Sequence, residues 1–238
     1  MNTLFISDLH LSGERENITT LFIDFLEKRA SKADALYILG DLFEVWPGDD
    51  IIQPDYRQSI TSMKQLTDNG VPLYVMHGNR DFLMADQFSN ISGATVIEDP
   101  TVIDLYGTAT LLMHGDTLCT DDIEYQKFRA MVREPFWKKE FLAKSPEERL
   151  AMTASYRNIS KEAMAQKSMD IMDVNQNAVE KAMSEHGVKQ LIHGHTHRPA
   201  VHNFIVNKED MKRIVLGDWY KQGSVLNYDA NSCVLEAL

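Results

Sequence analysis

Five short blocks hold the side chains most able to do chemistry: Asp8-Leu9-His10, Gly40-Asp41, Gly78-Asn79-Arg80-Asp81, His114-Gly115-Asp116 and His193-Gly194-His195-Thr196-His197. Carboxylate, imidazole and amide oxygen together suit borderline-to-hard dications such as Mn²⁺, Fe²⁺ or Zn²⁺, and the absence of thiolates among them argues against a structural zinc. A carboxylate shared by two ions can hold them about 3.5–4 Å apart, the spacing that clamps the attacking and leaving oxygens of a phosphoryl group. Glycine beside a ligand candidate recurs in these blocks, as expected where the backbone turns sharply.

Far apart in sequence, the blocks need a scaffold that gathers them. Each follows a short, nearly continuous run of β-formers, at 3–7, 35–39, 72–76, 109–113 and 189–192. Such runs predict strands buried on both faces. Helical spacing of Ile18, Leu21, Phe22, Phe25 and Leu26 predicts a helix over 16–30, and a second is expected over 55–69, closed by Gly70. Strand and helix in alternation imply a layered α/β fold, in which ligands bind beyond the carboxyl ends of the strands. After His197 the runs at 213–216, 224–228 and 233–235 predict an antiparallel finish. Between Asp121 and Ser184 the rhythm is broken by helix-forming, Met-rich sequence, in which Ser145-Pro146-Glu147-Glu148 carries the signs of a capping box with Pro at the first helical position. This stretch is expected to be a helical insertion.

The 238 residues, 44% hydrophobic and 25% charged, suit a single globular domain with one sizeable core. Net charge is -11, so the summed field repels nucleic-acid phosphates and no nucleic acid is expected as partner. The 121–184 stretch holds 11 basic and 11 acidic residues, which leaves the whole acidic excess on the remainder. Cys119 and Cys233 make neither a disulfide framework nor zinc-ligand spacing, which favours a reducing cytosol. No signal peptide is read at the N-terminus, and no apolar run approaches the roughly 20 residues of a spanning helix. Nothing in the pattern fixes an oligomeric state.

In order and in residue type, the five blocks resemble those of the calcineurin-like metallophosphoesterases. The resemblance implies an αββα sandwich over 1–238, with 121–184 as an insertion acting as a lid. It implies two divalent metal ions, one held by Asp8, His10, Asp41 and His197 and the other by Asp41, Asn79, His114 and His195, with Asp41 bridging. His193 and His77 are then expected to support the loops, and His186 and His202 to lie at the surface. Most members of that family carry histidine at the position of Arg80, where the imidazole assists the leaving oxygen. A guanidinium stays protonated at any working pH, so Arg80 can orient and neutralise phosphate but cannot be a general acid. That departure favours a leaving group already stable as an anion, hence a phosphoanhydride substrate.

Gly78-Asn79-Arg80-Asp81, the run from His114 to Asp122, the helical insertion and Leu216-Gly217-Asp218-Trp219 are similar to one branch of that family, the UDP-2,3-diacylglucosamine pyrophosphatases of lipid A synthesis. This implies attack of water on the α-phosphorus of UDP-2,3-diacylglucosamine, with Mn²⁺ as the usual metal, to give UMP and 2,3-diacylglucosamine 1-phosphate (lipid X). Asp41, Asn79, Arg80 and His195 would serve catalysis. Asn79, Arg80, Asp122, Ser160, Lys167 and His195 match the branch's substrate contacts, and Met164 stands where a polar residue is common.

Read without the resemblance, Lys167 and Arg157 are residues of a solvated helix face. Tyr125, Phe128, Met131, Phe136, Trp137, Phe141, Met152, Met164, Met169 and Met172 either pack the insertion on the body or line an apolar groove for acyl chains, with Trp46, Phe82 and Leu83 as the opposite wall. An acylated substrate would place the protein reversibly on the cytoplasmic face of the inner membrane, with Arg129, Arg133, Lys138, Lys139 and Lys144 as candidate lipid contacts. A soluble hydrolase of nucleotide sugars or dinucleoside polyphosphates, and a non-catalytic scaffold, are the competing readings.

Overall fold

The computed structural model describes residues 2–166 and 171–238, without the side chains of 161 and 163–166. Two sheets form its centre. The first runs β11-β10-β1-β2-β3-β4, built from β1 (Thr3–Ile6), β2 (Ala35–Leu39), β3 (Leu73–Met76), β4 (Thr95–Ile97), β10 (Ser224–Tyr228) and β11 (Cys233–Ala237). The second runs β5-β6-β7-β9-β8, from β5 (Thr101–Leu105), β6 (Thr108–Met113), β7 (Gln190–His193), β8 (Ala200–Val206) and β9 (Glu209–Val215).

Side-chain alternation along the strands sorts the apolar residues into three layers. Leu4, Ile6, Leu36, Ile38, Leu73 and Val75 pack on one face of the first sheet against Phe22, Phe25 and Leu26 of α1 (Glu16–Lys28) and Ile60, Met63 and Leu66 of α2 (Arg57–Asp68). On the opposite face Phe5, Leu39, Met76 and Leu226 meet Leu105, Leu112, Ile192 and Ile214 of the second sheet. The outer face of that sheet, with Leu111, Met113, Leu191 and Met211, is covered by Val179 and Met183 of α7 (Gln176–Glu185). Helix, sheet, sheet, helix is the expected sandwich, and burial on both faces is why the central strands read as continuous apolar runs. Gly70 (φ +89°) follows α2 as its left-handed terminator.

One expectation is corrected. β10 and β11 do finish antiparallel, but β9 runs parallel to β7, because the β8–β9 hairpin carries the chain out and back before it rejoins the sheet. The sequence pattern also gave no sign of β4, β5 and β8, nor of α3 (Asp86–Ser92). These three strands lie at sheet edges, with only one neighbouring strand each and without a continuous buried run.

The 121–184 segment contains α4 (Ile123–Arg133), α5 (Pro135–Leu142), α6 (Pro146–Gln166) and α7. α7 is the crossover helix between parallel β6 and β7, so the helices that project from the sandwich are α4 to α6. α6 opens on the anticipated capping box: the Ser145 amide donates to Glu148 Oε2 (2.9 Å) and the Glu148 amide to Ser145 Oγ (3.2 Å). One turn later Arg149, only 1% exposed, donates to the Pro47 carbonyl (3.0 Å) and to Asp50 Oδ1 (2.7 Å), pinning α6 to the loop after β2. Arg149→Ala should lower stability by about 1–3 kcal/mol, since the carbonyl and carboxylate lose their charged donor. It should also make α6 the first site of limited proteolysis while leaving the central strands protected. Urea unfolding with mapped proteolytic fragments would check this, and wild-type cleavage kinetics at α6 would refute the anchoring role.

Candidate metal centre

The loops after β1, β2 and β3 in the first sheet and after β6 and β7 in the second converge where the two sheets meet. Main-chain bonds tie them together: Asp8 N to Gly40 O (3.1 Å), His10 N to Asp41 O (2.9 Å), Gly194 N to His114 O (2.9 Å) and Trp219 N to Asp8 O (3.1 Å). Asp8, His10, Asp41, His195 and His197 all have φ between +49° and +68°. A left-handed backbone costs a non-glycine residue roughly 1–2 kcal/mol, so five ligand candidates are held in a strained conformation by the packing around them. Two glycines permit the close approach. A Cβ at Gly78 would lie 2.1 Å from Asp41 Oδ1, and one at Gly194 would lie 2.4 Å from Ser7 Oγ and 2.5 Å from Asp8 Oδ2.

All seven expected metal ligands come together here. Asp8, His10 and His197 form one group with mutually close donor atoms, and Asp8, Asp41 and His114 form another. Asp8 is common to both groups, and Asp41 reaches toward a histidine of each, 3.6 Å from His10 Nε2 by Oδ2 and 3.9 Å from His114 Nε2 by Oδ1. Asn79 Oδ1 lies 3.0 Å from His114 Nε2, and the His195 ring is 5.0 Å from that of His114. His10 Nε2 is buried without a hydrogen-bond partner, and Asp8 Oδ1 is buried with only the His197 ring nearby at 3.3 Å. Orphaned carboxylate and imidazole atoms facing a common point fit divalent cations, which satisfy them as hydrogen bonds do not.

Neighbouring groups orient the rings. His114 donates from Nδ1 to the Leu39 carbonyl (2.8 Å), which leaves its Nε2 lone pair for the cluster. His10 Nδ1 faces Glu44 Oε2 at 3.1 Å, and His197 Nδ1 faces Asp218 Oδ2 at 3.3 Å. Asp81 ties two ligand loops together, accepting from Gly78 N (2.8 Å), Leu42 N (2.7 Å) and Phe43 N (3.3 Å). Sequence reasoning assigned no role to Glu44 or Asp218; only the Leu216–Trp219 motif marked the latter. His193 is fully buried, with Nδ1 donating to the Gly194 carbonyl (2.9 Å), and His77 Nε2 is 2.8 Å from the Met84 carbonyl, while His186 and His202 are exposed.

The electrostatics show a centre short of positive charge. Burial works against a charged His114, yet Asp41, Asp116 and Asp8 outweigh it and push its pKa up to about 9. Burial raises Asp8 too, but the bond and charge of His197, then His114 and His10, hold its carboxyl well below the usual range. For Glu44 burial is overcome by His10, Arg80 and Arg157, which bring it down to about 2. Asp81 is pushed up to about 6 by burial and the charge of Asp41.

A cleft of about 440 Å³ opens from this centre beneath α4 to α6. His10, Asp41, Asn79, Arg80, His195 and His197 form its base. Trp46, Phe82 and Leu83 make one wall, and Tyr125, Phe128, Trp137, Phe141 and Met172 the other. Asp122 and Ser160 line it as well; Lys167, Met169 and the side chain of Met164 lie outside the described residues. Met131 and Phe136 point away, 47% and 75% exposed, and Met152 packs on the helix-covered core.

Two surface expectations are corrected. Arg129 Nε is 2.6 Å from buried Asp116 Oδ2, and Arg133 donates to the Gly78 carbonyl (2.8 Å) with its guanidinium 4.7 Å above the Phe82 ring, so both are drawn inward rather than left for lipid. Arg157, with 40% of its side chain exposed, lines the cleft rather than the outer helix face: its Nε is 2.9 Å from Glu44 Oε1.

A two-sheet sandwich with an Asp, His and Asn cluster at its strand ends defines a metal-dependent hydrolase, and the model of the calcineurin-like phosphoesterases matches residues 1–199. The chain belongs to that family. It is 53% identical over 235 residues to the UDP-2,3-diacylglucosamine hydrolase of Escherichia coli O7:K1, covering 99% of this chain and 98% of the relative. The protein of that name from Escherichia fergusonii is 53% identical, and that from Shigella boydii serotype 18 is 52% identical, over the same shares.

Removing the carboxylate that reaches both His10 and His114, the expected bridge, should be the most damaging ligand change: Asp41→Asn is expected to fold but to lose stoichiometric metal and activity, because a neutral amide is a poor bridge between dications. Asp218→Asn should keep the fold and weaken metal affinity about 10–100-fold through a misdirected His197. Metal content after dialysis and a competition titration report both; a metal-replete, active Asp41→Asn protein would remove the bridge, and unchanged affinity in Asp218→Asn the orienting role.

Proposed function

We propose that the protein hydrolyses the pyrophosphate bond of UDP-2,3-diacylglucosamine, with water attacking the α-phosphorus to release UMP and 2,3-diacylglucosamine 1-phosphate, a step of lipid A synthesis. The observation that carries this reading is the continuity of the acid and imidazole cluster with an apolar, aromatic-walled cleft. Apolar walls of this extent suit acyl chains, with the few polar groups at the base left for the phosphates. The names of relatives about half identical along nearly the whole chain support the same substrate.

In this reading Asp8, His10, Asp41 and His197 hold one ion and Asp41, Asn79, His114 and His195 the other, with Mn²⁺ as the expected metal. When bound, the pair would supply charge neutralisation at phosphorus and a water acidified for attack. The protein supplies the rest. Arg80, whose buried Nε has no partner, stands at the base of the cleft as a fixed cation for the phosphate oxygens. Asn79 and His195 serve catalysis and substrate alike, and Asp122 and Ser160 face the sugar, with Lys167 and Met164 as further contacts. Within the 121–184 segment α4 to α6 act as the lid, receiving the acyl chains between their aromatic side chains and Trp46, Phe82 and Leu83.

The same lid is the membrane-facing part. Among the described residues, Ile123, Met131, Phe136, Leu142 and Ile159 are apolar side chains of this segment left 43% to 75% exposed. No helix is long and apolar enough to cross a membrane among those residues. Each buried methylene contributes about 0.8 kcal/mol, so a diacyl substrate hardly leaves the bilayer and the enzyme must come to it. Lys138, Lys139 and Lys144 remain the candidate contacts for anionic headgroups at the cytoplasmic face.

Product analysis with acylated and acyl-free UDP-sugars tests the assignment: the diacyl compound should be turned over far faster and yield UMP. Equal rates would favour a soluble nucleotide-sugar hydrolase. Arg80→His should slow turnover of the pyrophosphate by about tenfold or more, since neutral imidazole stabilises phosphate charge less than guanidinium; equal or faster turnover would sink the leaving-group argument. Co-sedimentation with anionic vesicles should fall as salt rises, and fall further when Lys138, Lys139 and Lys144 are changed to Glu. Binding indifferent to both changes would place the membrane contact elsewhere.

A further inference from the structure

A second cavity, of about 250 Å³, adjoins the metal centre. Thr196 and Arg198 line both it and the cleft, and Thr196 stands between two of the candidate ligands, His195 and His197. We propose that this cavity is a nucleoside subsite that takes the uracil and ribose of the substrate while its phosphates sit at the metal centre; the assignment rests on the proposed UDP-linked substrate.

The reacting phosphorus lies in the middle of such a substrate, so its two ends must leave the centre separately. In the proposed function the aromatic cleft under α4 to α6 is taken up by the acylated end, which leaves the second cavity for the nucleoside. The second cavity offers unmet polar groups. Arg213 is only 8% exposed; its Nη1 is 3.5 Å from His193 Nε2, but its Nε has no partner. Thr196 Oγ1 is likewise buried without one. A buried donor left unpaired is destabilising, and a ligand acceptor removes that cost. Asp173 brings a carboxylate to the same wall, paired with Arg198. Uracil presents two carbonyl acceptors on either side of one N–H, which matches two donors and one carboxylate. Pro199 and Val215 supply an apolar surface for the flat ring. The volume lies just below the roughly 300–1,000 Å³ of drug-sized sites, which suits one heterocycle with its sugar and excludes an acyl chain beside it.

The test uses the full-length protein loaded with Mn²⁺ and isothermal titration with UMP, AMP and inorganic phosphate. Wild type should bind UMP about tenfold or more tighter than either AMP or phosphate, as expected for two or three added hydrogen bonds. His202→Trp, at an exposed β8 position lining the cavity, should fill it and bring UMP affinity down to that of phosphate, with phosphate binding unchanged. Arg213→Ala should do the same. Unchanged phosphate binding reports that the His193–His197 loop is intact; if Arg213→Ala does not fold, His202→Trp decides alone. UMP binding no tighter than phosphate, AMP equal to UMP, or UMP affinity indifferent to His202→Trp would each overturn the subsite. Hydrolysis of UDP-2,3-diacylglucosamine, assayed in parallel, keeps the two ideas separate. Turnover with cavity-independent UMP binding removes the subsite and leaves the proposed function. Cavity-dependent UMP binding without turnover does the reverse.

Discussion

The architecture is organised around carboxylates buried at the seam of two sheets. Asp8, Asp41, Asp81 and Asp116 are each 0–2% exposed within one small volume. An isolated ion in such a place costs several kcal/mol, which only close opposite charge and complete hydrogen bonding can offset. The chain answers for two of them with its own atoms: Asp81 takes three backbone amides, and Asp116 takes Arg129 and the Tyr125 hydroxyl (2.7 Å). Asp8 and Asp41 accept hydrogen bonds on one oxygen each, from Ser7 Oγ and the His195 amide and from the Arg80 amide, and turn the other toward imidazoles, which is where dications fit. The left-handed ligand residues, and the glycines that let loops from different sheets touch, follow from the need to aim these groups at one point.

Much of this was legible in the sequence because of where it sits. A strand covered on both faces has to be a nearly continuous apolar run, and a ligand at its carboxyl end has to be the polar residue that interrupts it; Ile6-Ser7-Asp8 and Leu39-Gly40-Asp41 are such interruptions. What escaped depends on partners distant in the chain. Glu44 is one acid among many until Arg157 and His10 are placed on either side of it. β8 alternates weakly and carries exposed residues because it is an edge, and its hairpin reverses the direction that β9 would otherwise have had. Met131 and Phe136 have the composition of groove residues, but the docking angle of α4 and α5 turns them outward, and composition carries no docking angle.

The helices above the cleft are fastened to the groups that hold the centre. Glu44 reaches His10 with one oxygen and Arg157 of α6 with the other, while Arg15 approaches the same carboxylate at 3.8 Å and lies over the Tyr220 ring, itself stacked on His10. On the opposite side Asp116, two residues from His114, receives Tyr125 and Arg129 of α4. Arg133 completes this side by capping the Gly78 carbonyl. Any displacement of α4 or α6 therefore changes the partners of residues adjoining the cluster.

The bond from the His195 amide to Asp8 spans 187 positions of the chain, and the Trp219 amide closes on the Asp8 carbonyl from still further along. Contacts of such separation form late, since the entropy of closing long loops precedes any gain. During synthesis the first sheet's parallel core, β1 to β4, can assemble from the leading half of the polypeptide, but its Asp8 has no counterpart until β7 and the segment beyond it have emerged. A ribosome-bound fragment ending before β7 would thus expose Asp8, His10 and Asp41 as an unfinished acidic surface with weak, unselective affinity for cations. The geometry of the cluster requires the segments around His195 and Trp219 as well as those around Asp8.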